Sequence, residues 1–593
     1  MTRIPLRPLA AILDARKKGT DPDAIERRNT SARHEVIQNE LRSVGEGRLV
    51  VLGVMFFCAY AVIAAQMGLL AASEPTEQRA AGGGVEILAQ RADIVDRRGR
   101  VLATNIETHS LYAQPQEMIE PKRAAKELVK IFPDLDEARL TKDFSGKRKF
   151  IWVKKKISPE QLQQVHDIGE PGLLFGPREA RLYPNGTLAA HVMGGTSFGR
   201  EGVHAAEVIG TAGVEKQFDE YLRDPANGAR PLQLSIDMTV QTAAERVLYG
   251  GMRLMGAKGA ASILMDIHTG EVISVVSLPD FDPNNRPLPP VEGDPDDSPL
   301  FNRALQGVYE LGSTFKVFTI AQAIELQLVN KSTMINTRGP LVWGKHKIRD
   351  FHDYGKELDV ETVLTKSSNI GTARISQMIG AERQREFLGA LGMLDTTTIE
   401  MPEASGGKPL LPKNWSEIST MTISYGHGLS ATPMHLAAAF STIANGGRKI
   451  SPTLLKQDGP NYGAQVLSPF VAREMNDMLR KVVTDGTASF GDVAGYSVGG
   501  KTGTADKPKA RGGYYKDKVI ASFASVFPTD NPQYALIVTL DEPEIYTMGE
   551  NRRSAGWTAV PVAAELINRV APLLGLRPNV EPGKLAGITL TSN

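Results

Sequence analysis

The chain carries one cysteine, Cys58, which rules out an intrachain disulfide, a cysteine-rich zinc site and a Cys-x-x-Cys redox pair. It has no His-x-x-x-His spacing and no credible nucleotide fold, so neither a metal nor an organic cofactor is expected. An excess of one charge is also missing: 68 Lys and Arg face 67 Asp and Glu, a net +1, and nothing overall drives the chain onto nucleic acid. Internal repeats and low-complexity tracts are absent. With 41% hydrophobic and 23% charged residues, a wholly disordered chain is excluded. At about 150 residues per domain, 593 residues leave room for roughly two to four folded units.

One long apolar run stands out, LVVLGVMFFCAYAVIAAQMGLLAA at 49–72. About 20 residues at 1.5 Å each span a hydrocarbon core, and the run exceeds the apolar stretch of a cleavable signal, so a transmembrane helix is expected here. Arg27, Arg28, Arg33, Arg42 and Arg48 precede it, whereas Arg79 is the one base in the first eighteen residues beyond it. The positive-inside rule then puts residues 1–48 in the cytoplasm as a flexible tail and everything after the run outside. Cys58 falls in mid-run as a small packing residue. Residues 73–90, with Gly82-Gly83-Gly84, have the composition of a linker.

Two folded regions follow, 91–230 and 231–575, with a Pro- and Gly-containing tail at 576–593. The first opens with RADIVDRRGRVLATN, where Asp96 to Arg100 sits between two short β-like runs as a hairpin turn would. RLYPNG at 181–186 and a helix-like GVEKQFDEYLR at 213–223 come later. The second begins with QLSIDMTVQTAAERVL, in which strand-like alternation gives way to a helical pattern.

Three short motifs in the second region carry chemistry. In ELGSTFKVFTIAQAIEL, Ser313 and Lys316 are three apart at the start of a helical pattern whose apolar stripe is Val317, Ile320, Ile324 and Leu328. Residues i and i+3 share a helix face, so the amine can reach the hydroxyl. A serine is a weak nucleophile until a base takes its proton, and lysine serves only if burial or positive potential lowers its pKa. Alone, the pair is equally an N-cap serine with a solvated lysine. The second motif, Ser367-Ser368-Asn369 in LTKSSNIGTARI, offers a proton relay in Ser367 and an amide for substrate in Asn369, or simply a polar turn. The third, GYSVGGKTGTADK, supplies Lys501, Thr502, Gly503 and Thr504: a strand without a side chain at Gly503 lets a substrate approach, and Lys501 attracts a carboxylate.

Gly495 to Thr502 also reads G-x-x-x-x-G-K-T, a phosphate-binding loop, with YALIVTLDEP as an apolar strand ending in Asp. Such a loop must run straight into a helix that cradles phosphate. Here GTADKPKARGGYY follows, and then two strand-like runs, VIASFASVF and YALIVTL, joined by the turn PTDNPQ. An antiparallel hairpin is expected, not a nucleotide-binding sheet.

The order Ser-x-x-Lys, Ser-x-Asn, Lys-Thr-Gly resembles the penicillin-recognising serine enzymes. RADIVDRRGRVLATN, RLYPNG followed by AAHVMG, GVEKQFD, YELGSTFK and SYGHGLSATPMHLAAAFSTIANGG extend the likeness to the class B, monofunctional penicillin-binding proteins, from about residue 49 to 574. The resemblance implies a mixed α/β (α+β) transpeptidase fold, a largely antiparallel five-stranded sheet flanked by helices, preceded by one transmembrane helix and an elongated β-rich pedestal domain. It implies peptidoglycan cross-linking: Ser313 attacks the bond between the two terminal D-alanines of a stem peptide, with Lys316 as base. The backbone N–H groups of Ser313 and Thr504 form the oxyanion hole and Ser367 relays a proton to the leaving amine. Asn369 binds the peptide, while Lys501, Thr502, Gly503 and Thr504 line the carboxylate anchor. An amine from a neighbouring stem resolves the acyl-enzyme, and β-lactam antibiotics acylate Ser313.

KSSNIG, the SYGHGLSATP segment and the single anchor resemble the septal, FtsI-type enzymes. That likeness implies a polytopic septal glycosyltransferase and other division proteins as partners. It also implies a single-pass place in the bacterial inner membrane at the septum, with the catalytic domain in the periplasm. Two positions depart from the family: Leu311 stands where Pro is usual before the serine turn, and His427 where Tyr is common, as a turn or groove-lining residue. The alternatives are an elongation-specific class B enzyme, a penicillin-binding receptor or scaffold without turnover, and a β-lactamase, which would need a second base for deacylating water.

Overall fold

The computed structural model describes residues 9–72, 91–201, 206–227, 230–509 and 513–579. Its contacts divide the chain into two units, residues 1–88 and 89–593. The first unit holds two helices, Leu9–Lys17 and Pro22–Ala72. Where a flexible tail was expected the chain is helical, because residues 23–48 are rich in Arg and Glu and contain no proline; Pro22 starts the helix, and Asp21 accepts from the backbone N–H of Asp23.

The transmembrane expectation is corrected. Among the described residues no helix is long and apolar enough to cross a membrane. The apolar run is one part of the 51-residue helix Pro22–Ala72, which begins in a charged stretch. The expectations built on that span fall with it: a single-pass inner-membrane anchor, a cytoplasmic tail, a periplasmic catalytic domain at the septum, and the membrane-based partnership with a polytopic glycosyltransferase and other division proteins. The linker placed at 73–90 lies outside the described residues, as do residues 580–593 of the tail.

In the second unit a five-stranded sheet runs in the order Gly499–Pro508, Tyr514–Phe527, Tyr534–Asp541, Gly259–Asp266, Val272–Leu278. All four pairings are antiparallel, as the hairpin pattern predicts. Every residue of Val272–Leu278 is buried, and all but the last of Gly259–Asp266, so both faces are covered. Helices Met238–Leu254 and Ala559–Val570 pack on each other and on the sheet, and Pro433–Ala444 packs on its central strands. Gly499–Pro508 is followed by a strand, not a helix, which removes the phosphate-loop reading.

The first region builds a second sheet on the long strand Val101–Ala113, which pairs with Ile151–Ile157 and Leu173–Leu182. Helices Pro121–Ile131, Glu137–Phe144 and Pro159–Asp167 close a small core over it, around Leu111, Leu128, Phe132, Phe144 and Val165. The base of this region joins the main core instead: Ala92, Ile94, Leu102, Val214 and Leu222 are continuous with the apolar interior around the five-stranded sheet. Ile94 pairs in parallel with Leu232, so a ladder crosses the junction.

Three motifs converge at that base. Glu215, fully buried, accepts from Arg91 Nε and Arg181 Nε, each at 2.7 Å, and Arg91 also reaches Asp219 at 2.7 Å. Nearby, the turn at Asp96 is a tie between regions. The Asp96 carboxylate accepts from Arg98 N, Arg100 N and Met238 N, and Arg100 continues to Asp237 and Thr239 at the start of helix Met238–Leu254. Burial raises the Asp96 pKa, but Arg100 and three backbone donors outweigh it and hold the carboxyl below its usual value. Replacing Glu215 with Ala removes the buried carboxylate that Arg91 and Arg181 share and leaves Arg91 with Asp219, so Glu215→Ala is expected to destabilise the second unit by about 3–5 kcal/mol, read as a lower denaturant midpoint.

Candidate active site

Ser313 lies in a short turn, Gly312–Thr314, that feeds helix Phe315–Glu325. The sequence predicts one apolar stripe on this helix; residues 315–324 are buried on every side, because the helix runs through the middle of the domain. The turn is pressed between two other backbones. A Cβ on Gly312, at φ +56°, would come within 2.7 Å of Thr504 O and 3.0 Å of Thr504 N. A Cβ on Gly503 would meet Leu311 O at 2.2 Å, and one on Gly426 would meet Gly312 O at 1.9 Å. The close approach assigned to Gly503 is therefore to the serine turn. Leu311, in place of the usual Pro, is buried, and its carbonyl accepts from Thr314 Oγ1.

One helical turn on, Lys316 Nζ sits 2.8 Å from Ser313 Oγ. It also lies 2.7 Å from Ser367 O, 2.9 Å from Ser367 Oγ and 2.7 Å from Asn369 Oδ1. Its side chain is completely buried. Burial, and then the charge of Lys501, push its pKa well below the ordinary 10.5, with Asp350 opposing. A neutral amine has two N–H bonds and one lone pair. The Ser367 carbonyl and the Asn369 amide oxygen only accept, so they take the N–H bonds and the lone pair is left for the Ser313 hydroxyl proton.

Ser367 brings its carbonyl there by adopting a left-handed conformation, φ 63° and ψ 44°, at the C-terminus of helix Val360–Lys366. This costs a non-glycine residue about 1 kcal/mol. Ser368 then caps helix Asn369–Ile379, accepting from Gly371 N. Lys501 reaches the same serine from the edge strand, with Nζ 3.0 Å from Ser367 Oγ, 3.1 Å from Thr502 O and 3.4 Å from Thr502 Oγ1. It too is fully buried, and desolvation pushes it down to about 7. Strand alternation puts Thr502 and Thr504 on the other face. There Thr502 Oγ1 is 2.8 Å from Thr487 Oγ1, and Thr504 Oγ1 accepts from Ala555 N. Ser313, Lys316, Ser367, Asn369, Lys501 and Thr502 form one connected set, and the backbone of Thr504 adjoins the serine turn.

Sequence reasoning missed Asp350. Its carboxylate accepts from Ser368 Oγ at 2.7 Å and Ile370 N at 3.0 Å, and the neighbouring Arg349 carbonyl accepts from Asn369 Nδ2. The segment therefore fixes the second motif in space from eighteen residues before its N-cap, a separation that no local pattern signals. Glu310 was missed as well: it accepts from Gly428 N and from Tyr514 OH. His427 lies between Tyr425 and Tyr514, its ring tilted against the first at 5.4 Å and edge-on to the second at 6.5 Å between centroids. Burial, then Glu310, push both tyrosines up to about 12.

Gly503→Ala is expected to abolish active-site acylation while leaving far-UV circular dichroism unchanged, since the added methyl displaces the serine turn locally. Asp350→Ala is expected to slow acylation by about tenfold or more through the loosened Ser368 and Ile370 contacts. It should also move the acid limb of the pH–rate profile to lower pH, because losing a nearby anion favours the neutral Lys316 amine; a limb that stays in place would assign Asp350 a purely structural role.

Residues 260–568 match the penicillin binding protein transpeptidase domain family, and residues 86–234 the penicillin-binding protein dimerisation domain family. The chain is 32% identical to the probable peptidoglycan D,D-transpeptidase FtsI of Caulobacter vibrioides, over 94% of this chain and 92% of that one. It is 32% identical to the probable peptidoglycan D,D-transpeptidase PenA of Neisseria meningitidis serogroup A, over 83% and 85% of the two chains. The FtsI of Escherichia coli K12 is 26% identical over the same shares. Among solved structures, the transpeptidase domain of Burkholderia pseudomallei penicillin-binding protein 3 superposes with a TM-score of 0.52 at 33% identity, covering 59% of this chain and 98% of that one. The chain belongs to the penicillin-binding protein transpeptidase family, as a class B, FtsI-type member.

Proposed function

We propose that Ser313 is the acylated nucleophile of this chain and that Lys316 is its base. The enzyme is a serine-type peptidoglycan D,D-transpeptidase that cross-links stem peptides in septal cell-wall synthesis. One observation carries the assignment of roles: a wholly buried amine 2.8 Å from the Ser313 hydroxyl. Its environment, with no carboxylate in hydrogen-bond contact, supports a neutral base at working pH.

In this reading Lys316 takes the Ser313 proton as Oγ attacks the carbonyl between the terminal D-alanines. The backbone N–H groups of Ser313 and Thr504 receive the developing oxyanion, a position supported by the contact of their two backbones. Ser367, within reach of both lysines, passes a proton to the departing D-alanine amine. Asn369 holds the peptide amide. Thr502 and Thr504 offer hydroxyls to the terminal carboxylate across Gly503, and Lys501 supplies positive charge behind them. An amine of a second stem then attacks the acyl-serine, regenerating the Ser313 hydroxyl. The division into a pedestal at 91–230 and a transpeptidase domain at 231–575 is supported by the two family matches, 86–234 and 260–568.

Labelling of the full-length chain with a fluorescent penicillin tests the roles. Covalent label is expected on the parent, none on Ser313→Ala, and a rate about a hundredfold or more lower on Lys316→Ala. Label that persists on Ser313→Ala removes Ser313 as the nucleophile. The parent rate should fall as pH drops through the lowered Lys316 pKa, since only the neutral amine is a base. Above about 7, where Lys501 loses its proton, the apparent affinity for carboxylate-bearing substrate should weaken.

A further inference from the structure

A cavity of about 420 Å³ opens beside the Ser-x-Asn motif, lined by Arg338, Arg349, Asp350, Phe351, Lys356 and Ile370 among others. Its wall comes from residues 337–340 and 349–356, with Ile370. The small hairpin Leu341–Trp343 with His346–Ile348 and the loop after it are held to the catalytic centre by the Asp350 and Arg349 contacts to Ser368, Asn369 and Ile370. Within residues 337–356 five basic side chains, Arg338, Lys345, Lys347, Arg349 and Lys356, face two acids, a local charge of +3 in a chain whose total is +1. All five are exposed, and among the described residues none of them is in an ion pair. One of the two acids, Asp350, is already committed to the helix cap. Phe351, on the rim, is 91% exposed, with its ring against His352. Unpaired cations around a polar cavity, with an apolar side chain at the mouth, make a surface suited to an anionic peptide.

We propose that this cavity is the subsite for the second substrate of the reaction, the acceptor stem: a peptide bearing free carboxylates and one nucleophilic amine. The inference rests on the transpeptidase reading above and adds the place of entry. The donor is already gripped by Asn369 and by the Thr502–Thr504 face. The incoming amine takes the position vacated by the leaving amine beside Ser367, since the second step runs the first in reverse with a new nucleophile. The cavity reaches Ile370, three residues after Ser367, and Arg349 in its wall accepts through its carbonyl from Asn369 Nδ2, so a peptide seated there delivers its amine to the acyl-serine from the relay side. Carboxylates on the rest of that peptide meet Arg338 and Lys356.

Full-length protein acylated by a small D-alanyl thioester donor provides the test, with two acceptors: an anionic stem-type peptide carrying a free amine and several carboxylates, and neutral D-alaninamide. The variant Arg338→Glu/Lys356→Glu changes two exposed side chains. It is expected to raise KM for the anionic acceptor by about tenfold at constant kcat, and to leave D-alaninamide transfer and penicillin acylation as in the parent. Arg338→Lys/Lys356→Arg should restore the parent KM. Added salt should raise the parent KM for the anionic acceptor and narrow its gap to the variant. An unchanged KM for the anionic acceptor overturns the proposal, as does an equal loss with both acceptors or a parallel fall in penicillin acylation, which would place the cavity on the donor path. A parent that takes up no penicillin would instead overturn the underlying transpeptidase assignment, and is seen in the acylation assay before any acceptor is added.

Discussion

The amine of Lys316, enclosed without a carboxylate in hydrogen-bond contact, is the constraint around which the catalytic domain is arranged. A charged ammonium in that position would lose its hydration without recovering it, so the surroundings must favour the neutral form. Each neighbour contributes in a different way. The helix carrying the lysine is buried on all sides, the left-handed turn at Ser367 aims a carbonyl at it, and Asn369 adds a second acceptor. A second buried lysine shares the Ser367 hydroxyl from the edge strand. Two amines on one hydroxyl do not both hold a charge easily.

The convergence of Ser313, Lys316, Ser367, Asn369 and Lys501 was legible because they come in three short motifs whose internal spacing has a local meaning. Ser313 and Lys316 share a helix face, and Gly503 belongs to a strand that another backbone approaches. Asp350 was not legible, since its role depends on a loop folding back to cap a helix that begins nineteen residues later, at Asn369. Glu310 and Tyr514 stand more than two hundred positions apart, and only the fold brings the tyrosine hydroxyl to the carboxylate. The antiparallel sheet was foreseen from the hairpin at 519–541, and its strand order required the structure. Two readings near the N-terminus failed for related reasons. Residues 23–48 lack an apolar period but not helix propensity, and the apolar run that follows is one part of a longer helix with charged residues at its start.

The region before the catalytic domain is less separate than its composition implies. Arg91, Arg181 and Glu215 come from three distant segments and meet at a buried ion cluster, and the turn at Asp96 ends in contacts with the first long helix of the catalytic domain. A cluster of this kind is specific rather than strongly stabilising, because desolvation offsets much of its attraction. Its effect is orientation: the base of the first region shares the apolar core of the second, and the distal part, with its own small core around Leu128 and Phe144, extends from a fixed root.

The glycines at 312, 426 and 503 bring three stretches of main chain into direct contact around Ser313. At that point the wall of the cleft is made of peptide groups, which every amino acid carries alike. Selection for a differently shaped cleft, whether to exclude an inhibitor or to admit another donor, therefore has little to work with at its centre. Inherited variation in inhibitor sensitivity should collect one residue outward, at positions such as Leu311 and His427, where a side chain first becomes available to change.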